Sequence, residues 1–135
     1  MIERSIPQAD PRIDPLVRSA DELLAIEVVD SDGELLGRLS EIMLDVPAGR
    51  IAYGVLTPSD SVDASGRLHA VPWELLRPCE RAAVLRLEAD RDVLRSAPSF
   101  DPDEWPDMSE RRWSAELHAH YGLAPYWTGG REASE

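Results

Sequence analysis

Four groups of side chains have the types and spacings from which chemistry could be built. His69 and Cys79 could meet across strands as a base and a thiol. No third residue accompanies them to orient the base and no oxyanion signature is present, and a lone cysteine is ordinarily buried filler. His118 and His120 lie two apart, and on a helix such residues diverge by about 200°, so they cannot share a metal by themselves. Asp30-Ser31-Asp32-Gly33-Glu34, with Glu41 at the twelfth position, copies the two ends of a calcium loop. Its sixth position is Leu35, where that loop needs glycine, so a β-turn is the better reading. Asp101, Asp103, Glu104 and Asp107 could attract a cation or a basic partner, but charges of this kind mostly form a solvated loop. Glycine-rich phosphate loops, zinc spacings and nucleophile elbows are missing. The sequence therefore predicts no catalytic residue, no metal ligand, no cofactor and no enzyme.

The aromatic residues say more. Trp105, Trp113 and Trp127 lie in the C-terminal stretch together with Phe100, Tyr121 and Tyr126. Ser109 is the expected cap of a helix, with Met108 stapled onto Trp113 and Gly122 ending it. Trp113, Leu117 and Tyr121 then fall on one face at i, i+4 and i+8. Phe100, Trp105, Trp113, Leu117, Tyr121, Tyr126 and Trp127 are accordingly the candidate interaction residues, because Trp and Tyr concentrate at interfaces. The plainer role is to seal a hydrophobic face, and the two roles can fall to different residues.

What must position these side chains is a set of short strands. Ile42, Leu44 and Val46 alternate with Glu41, Met43 and Asp45, and Ile51, Tyr53 and Val55 alternate with Ala52, Gly54 and Leu56. A period of two favours strand over helix. Pro47-Ala48-Gly49 between them supplies a fixed φ and then a residue tolerant of positive φ, so residues 40–56 form a hairpin. Ser19 and Glu22 fit a capping box for one helical turn. Residues 25–29, 67–71, 77–79 and 83–87 read as further strands, and residues 57–66 as an exposed loop. Asp90 caps a short helix that Pro98 ends. The expected barrel core is Val28, Ile42, Leu44, Ile51, Tyr53, Val55, Val71, Leu85 and Leu87, with Trp73 plugging one end.

Composition limits the partners. The net charge is −12, and all 14 basic residues are arginine. Such a chain repels phosphate backbones, so a nucleic-acid partner is not expected. No stretch has the ~18 apolar residues of a membrane-spanning helix, and the N-terminus lacks the apolar core of a secretory signal. With a single cysteine, the expectation is a cytoplasmic protein without membrane insertion.

Residues 30–37 (DSDGELLG), 41–54 (EIMLDVPAGRIAYG) and above all 70–76 (AVPWELL) resemble the PRC-barrel family over about residues 21–87. Residues 97–108 and the His-Tyr-Gly at 120–122 resemble the C-terminal extension of its small stand-alone bacterial members. That family includes the barrel of the photosynthetic reaction-centre H subunit and the C-terminal domain of RimM-type ribosome-maturation factors. The resemblance implies a mainly β protein: a small antiparallel barrel of about six strands with a short helical, aromatic-rich extension. It also implies a non-catalytic interaction or adaptor module, with no catalytic residues to carry over. The alternative is an accessory role near reaction centres or ribosome maturation; a metal- or thiol-dependent enzyme ranks behind both. Residues 1–18 are expected as an irregular arm, 19–97 as the barrel domain, 98–127 as the extension with one helix and 128–135 as a tail. The expected partner is an unidentified protein, and a homodimer is expected because the aromatics exceed what one small barrel could cover.

Overall fold

A computed structural model describes residues 17–79 and 83–128; the arm and tail expected at the termini fall almost wholly outside them. The strands are β1 (Glu27–Val29), β2 (Leu35–Asp45), β3 (Arg50–Pro58), β4 (Leu68–Pro72), β5 (Leu76–Cys79), β6 (Val84–Leu87) and β7 (Ser99–Phe100). The helices are α1 (Ala20–Leu23), α2 (Arg91–Ser96) and α3 (Arg111–His120), with 3-10 turns at Trp73–Leu75 and Tyr126–Thr128. Ser19 and Glu22 form the capping box on α1, each side chain accepting from the other's backbone N–H. At the hairpin tip Gly49 takes φ +66° and its N–H donates to the Asp45 carbonyl at 2.9 Å.

The seven strands among the described residues belong to one sheet, ordered β5-β6-β1-β2-β3-β4-β7. This corrects the antiparallel barrel expected from the sequence: β1 pairs parallel with β6, and the strands at the two ends of the order are not paired with each other. The sheet still curls. β4 and β5 are joined by one 3-10 turn, a span of about 14 Å at most, although they lie near opposite ends of the order. One apolar cluster accordingly draws on six strands, through Val28, Leu36, Leu39, Leu56, Val71, Leu76, Leu85 and Leu87. Leu94 of α2 closes it, and so does Val62 from the loop after β3, which is not simply an exposed loop as expected. Trp73 packs against this cluster from its 3-10 turn and stays partly exposed.

A second cluster lies under the C-terminal segment: Ala52, Tyr53, Val55, Leu68, Ala70, Phe100 and Leu117. Tyr53 and Val55 are thus buried as expected, but beneath the extension rather than in the sheet's interior. Two bulges explain part of the difference. Ser40 is an extra residue on β2 and Ala52 an extra residue on β3, and each breaks the period of two. Ile42 and Ile51 end up half-buried and Leu44 exposed, against their expected place in the core. Leu44 pairs with Ile51, beyond the Tyr53–Pro72 pair where β4 stops, so no neighbouring strand covers it.

Candidate functional site

The C-terminal segment is tied to the sheet through β4, β3 and the end of β2. β7 pairs with β4 through Leu68–Phe100 and His69–Ser99. Arg67 clamps the same place, its Nε and Nη2 both donating to Ser99 at 2.8 Å. α3 starts one residue later than expected, with Glu110 at its N-cap rather than Ser109. Asp107 causes the delay: its carboxylate accepts from the Ser109 N–H and its carbonyl from the Glu110 N–H, forming a turn before the helix. The helix ends at Gly122 (φ +74°), with Gly122 N–H bonded to the Ala119 carbonyl and Leu123 N–H to the His118 carbonyl, the Schellman pattern.

Polar contacts lock this cover in register. The Tyr53 hydroxyl meets the Ser114 hydroxyl, joining β3 to α3. Tyr126 Oη donates to Asp45 Oδ2 at 2.6 Å, joining the last 3-10 turn to the hairpin. His118 is fully buried; its Nδ1 donates to the Ser114 carbonyl at 2.8 Å, and the rings of Tyr53, Tyr126 and Trp127 surround it. Burial is the main cause that holds the phenols of Tyr53, Tyr121 and Tyr126 above their ordinary pKa, and the Asp45 carboxylate adds to it at Tyr126.

The candidate interaction residues therefore divide. Phe100 and Leu117 are core, while Trp113, Tyr121 and Tyr126 are half-buried against the second cluster. Trp105 is exposed at 39%, and Trp127 is half-buried beside Tyr126. Trp105 and Trp127 border a cleft of about 650 Å³ between the hairpin tip and the extension. Met43, Leu44, Val46 and Pro47 form its other wall, and Tyr53 and Ser114 also line it. Leu44 (63% exposed), Val46 (78%) and Trp105 account for three of the five large apolar side chains exposed among the described residues. Sequence reasoning placed Leu44 in the core and so missed this wall. The available signal was the apolar run at Leu44 and Val46 beside the turn.

The other sequence candidates are not brought together. His69 is buried and its Nε2 pairs with Asp63 Oδ2 at 2.8 Å, while Cys79 sits on β5, which does not pair with β4. Hydrogen bonding to His69 holds the Asp63 carboxyl well below the usual carboxylate range, at about 2. His118 faces Ser114, whereas His120 Nε2 donates to the carbonyl of Val93 in α2 at 2.8 Å. Asp30 caps its own turn through the N–H groups of Asp32 and Glu34, both at 2.9 Å, and Glu41 lies on β2 opposite Val55. Among the described residues no three His, Cys, Asp or Glu side chains gather where a metal could be held, and no helix is long and apolar enough to cross a membrane.

A curled β-sheet closed over one apolar cluster, with a single-turn plug between β4 and β5 and a second cluster under the extension, defines a small β-barrel-like domain. More particularly, the chain belongs to the PRC-barrel domain family, whose model matches residues 16–95. No curated protein matches the chain. The match ends before Phe100, so the extension and its half of the cleft lie outside the matched region.

Proposed function

We propose that this protein is a non-catalytic interaction module that docks another protein at the hairpin-tip cleft. The observation that carries the reading is the gathering of Leu44, Val46 and Trp105, all exposed, around one concave site. Side chains of this kind scattered singly on a surface need no explanation, but a contiguous group marks an interaction site. The single cysteine and the charge of −12 fit a partner met in the cytoplasm, away from nucleic acid and lipid.

Self-association through the same face is the second reading, favoured by the two exposed apolar side chains of the hairpin. The aromatics no longer argue for it, since most of them cover the chain's own sheet. Affinity capture from the native cell, paired with solution mass, tests both readings. Leu44→Ser with Val46→Ser should abolish a capture that the unaltered chain shows, or convert a dimer to a monomer. If the unaltered chain captures nothing and is monomeric at high concentration, the interaction module is refuted.

A further inference from the structure

Around the cleft carboxylates outnumber cations, although Arg111 shares its lining with Asp45 and Asp107. Trp105 stands in a loop whose Asp101, Asp103, Glu104 and Asp107 are all exposed, and Asp45 lies on the hairpin side. Two cations lie near, and both keep their charge while resting on aromatic rings. The Arg50 guanidinium lies 4.5 Å above the Tyr126 ring, and that of Arg111 lies 5.7 Å from the Trp127 ring. Asp101 and Asp107 are used in part for local turns, accepting from the N–H groups of Asp103 and Ser109. Asp103 and Glu104 are exposed and precede Trp105 in the chain, at the rim outside the residues that line the cleft. A carboxylate field in front of a partly apolar cleft concentrates cations over a distance of about 8 Å at physiological salt. It also disfavours a second copy of this chain, which would bring its own −12 charge and the same acidic loop.

The extension side of the cleft is aromatic and held in place. The Trp105 ring tilts on Phe100 with centroids 5.0 Å apart, and its Nε1 donates to the Pro102 carbonyl at 2.8 Å. Trp127 meets Tyr126 edge-on at 5.7 Å and His118 at 6.2 Å. A fixed aromatic wall facing an aliphatic one and open to solvent suits an extended, proline-containing segment, which loses little conformational freedom on docking. A cleft of 650 Å³ lies within the range of about 300–1,000 Å³ that takes a ligand the size of a few residues. A small apolar ligand would leave the acidic rim without a role.

Resting on the interaction-module reading, we infer that the cleft binds an extended peptide segment of a partner protein in which arginine or lysine alternates with proline and other apolar residues. The apolar side chains sit between the hairpin wall and Trp105, and the cations face Asp103 and Glu104.

The test titrates the isotope-labelled full chain with an acetylated, amidated peptide of about ten residues, the length range of a short docking motif, made of arginine, proline and leucine. A second peptide carries glutamate in place of arginine. The expected amide shifts are confined to residues 43–47, 104–111 and 126–128, and the glutamate peptide binds at least about tenfold more weakly. Asp103→Asn with Glu104→Gln weakens the arginine peptide about threefold or more and flattens its salt dependence. Leu44→Ser with Val46→Ser abolishes binding without moving the melting temperature, as exposure of both residues allows. Equal binding of the two peptides, or shifts centred elsewhere, overturns the inference. So does a doubled mass in the absence of peptide that the hairpin variant abolishes, which assigns the cleft to a second copy. If the hairpin variant loses a cellular partner while the arginine peptide fails to bind, the inference falls and the module reading stands.

Discussion

Replacing Leu117 by alanine is the sharpest test of how the extension is held. Leu117 is fully buried, and its side chain belongs to the cluster that α3 forms with Tyr53 and Val55 of β3, Leu68 and Ala70 of β4, and Phe100 of β7. A ten-residue helix is marginal alone in water, so its order depends on such contacts. Large-to-small changes at buried leucines cost about 2–5 kcal/mol, more where the surroundings cannot close in. Here one wall is a hydrogen-bonded sheet that cannot move and the other a short helix that can, which places the cost near the middle, at about 3 kcal/mol. For a chain of this length each kcal/mol shifts the melting temperature by roughly 3–5 °C, so a fall of about 10–15 °C is expected. Calorimetry or circular dichroism on the full chain reads it. Leu44→Ala is the matched control: the same change at a 63% exposed position should move stability by less than about 0.5 kcal/mol. An unchanged melt for Leu117→Ala, or a larger loss at Leu44 than at Leu117, would refute the reasoning.

Three further outcomes follow from single contacts. Asp63→Asn should destabilise by about 1–3 kcal/mol, because it weakens a charge-assisted bond to the buried His69. The Asp63 carboxyl is held down at about 2, so its contribution is complete above the ordinary carboxylate pKa and is lost as pH falls through about 2. The difference between the two proteins in an acid titration of stability should therefore close over that window. Gly37→Ala should cost about 1–3 kcal/mol by chemical denaturation, because an added Cβ would press on the Thr57 carbonyl and lie 2.8 Å from Pro58 Cα, both backbone. All three tyrosines have raised folded pKa values, so the neutral phenol is favoured in the folded state. Stability should fall as pH rises past the ordinary phenol value near 10, and phenolate absorbance should appear together with unfolding. Phenolate forming in a chain that is still folded at that pH would contradict the burial.

Much of the framework was legible because local chemistry determined it. The Pro47-Ala48-Gly49 turn, the Ser19/Glu22 capping box and the Gly122 stop are each set by a few neighbouring residues. The sheet's unexpected features depend on distant partners. Nothing local to residues 27–29 says that β1 takes β6 as a parallel neighbour, nor that Ser99 and Phe100 form a strand against β4. The strict alternation assumed for the hairpin failed at Ser40 and Ala52, where bulges change which face follows. β3 is buried on both faces, Leu56 towards one cluster and Tyr53 towards the other, and a one-sided barrel strand was the wrong template for it. The candidate site was half legible. The aromatic stretch was visible in the sequence, but separating Phe100 and Leu117 as core from Trp105 as surface required knowing what the extension lies against.

The central claim is that the chain works by docking a partner at the hairpin-tip cleft. A photo-crosslinking side chain placed at Val46 in the native cell tests it most directly, with the same probe at Arg86, exposed on β6, as the comparison. The account predicts a discrete crosslinked protein species from position 46, lost when Trp105 is replaced by alanine, and none from position 86. Crosslinking from position 86 alone, or from 46 regardless of Trp105, would contradict it.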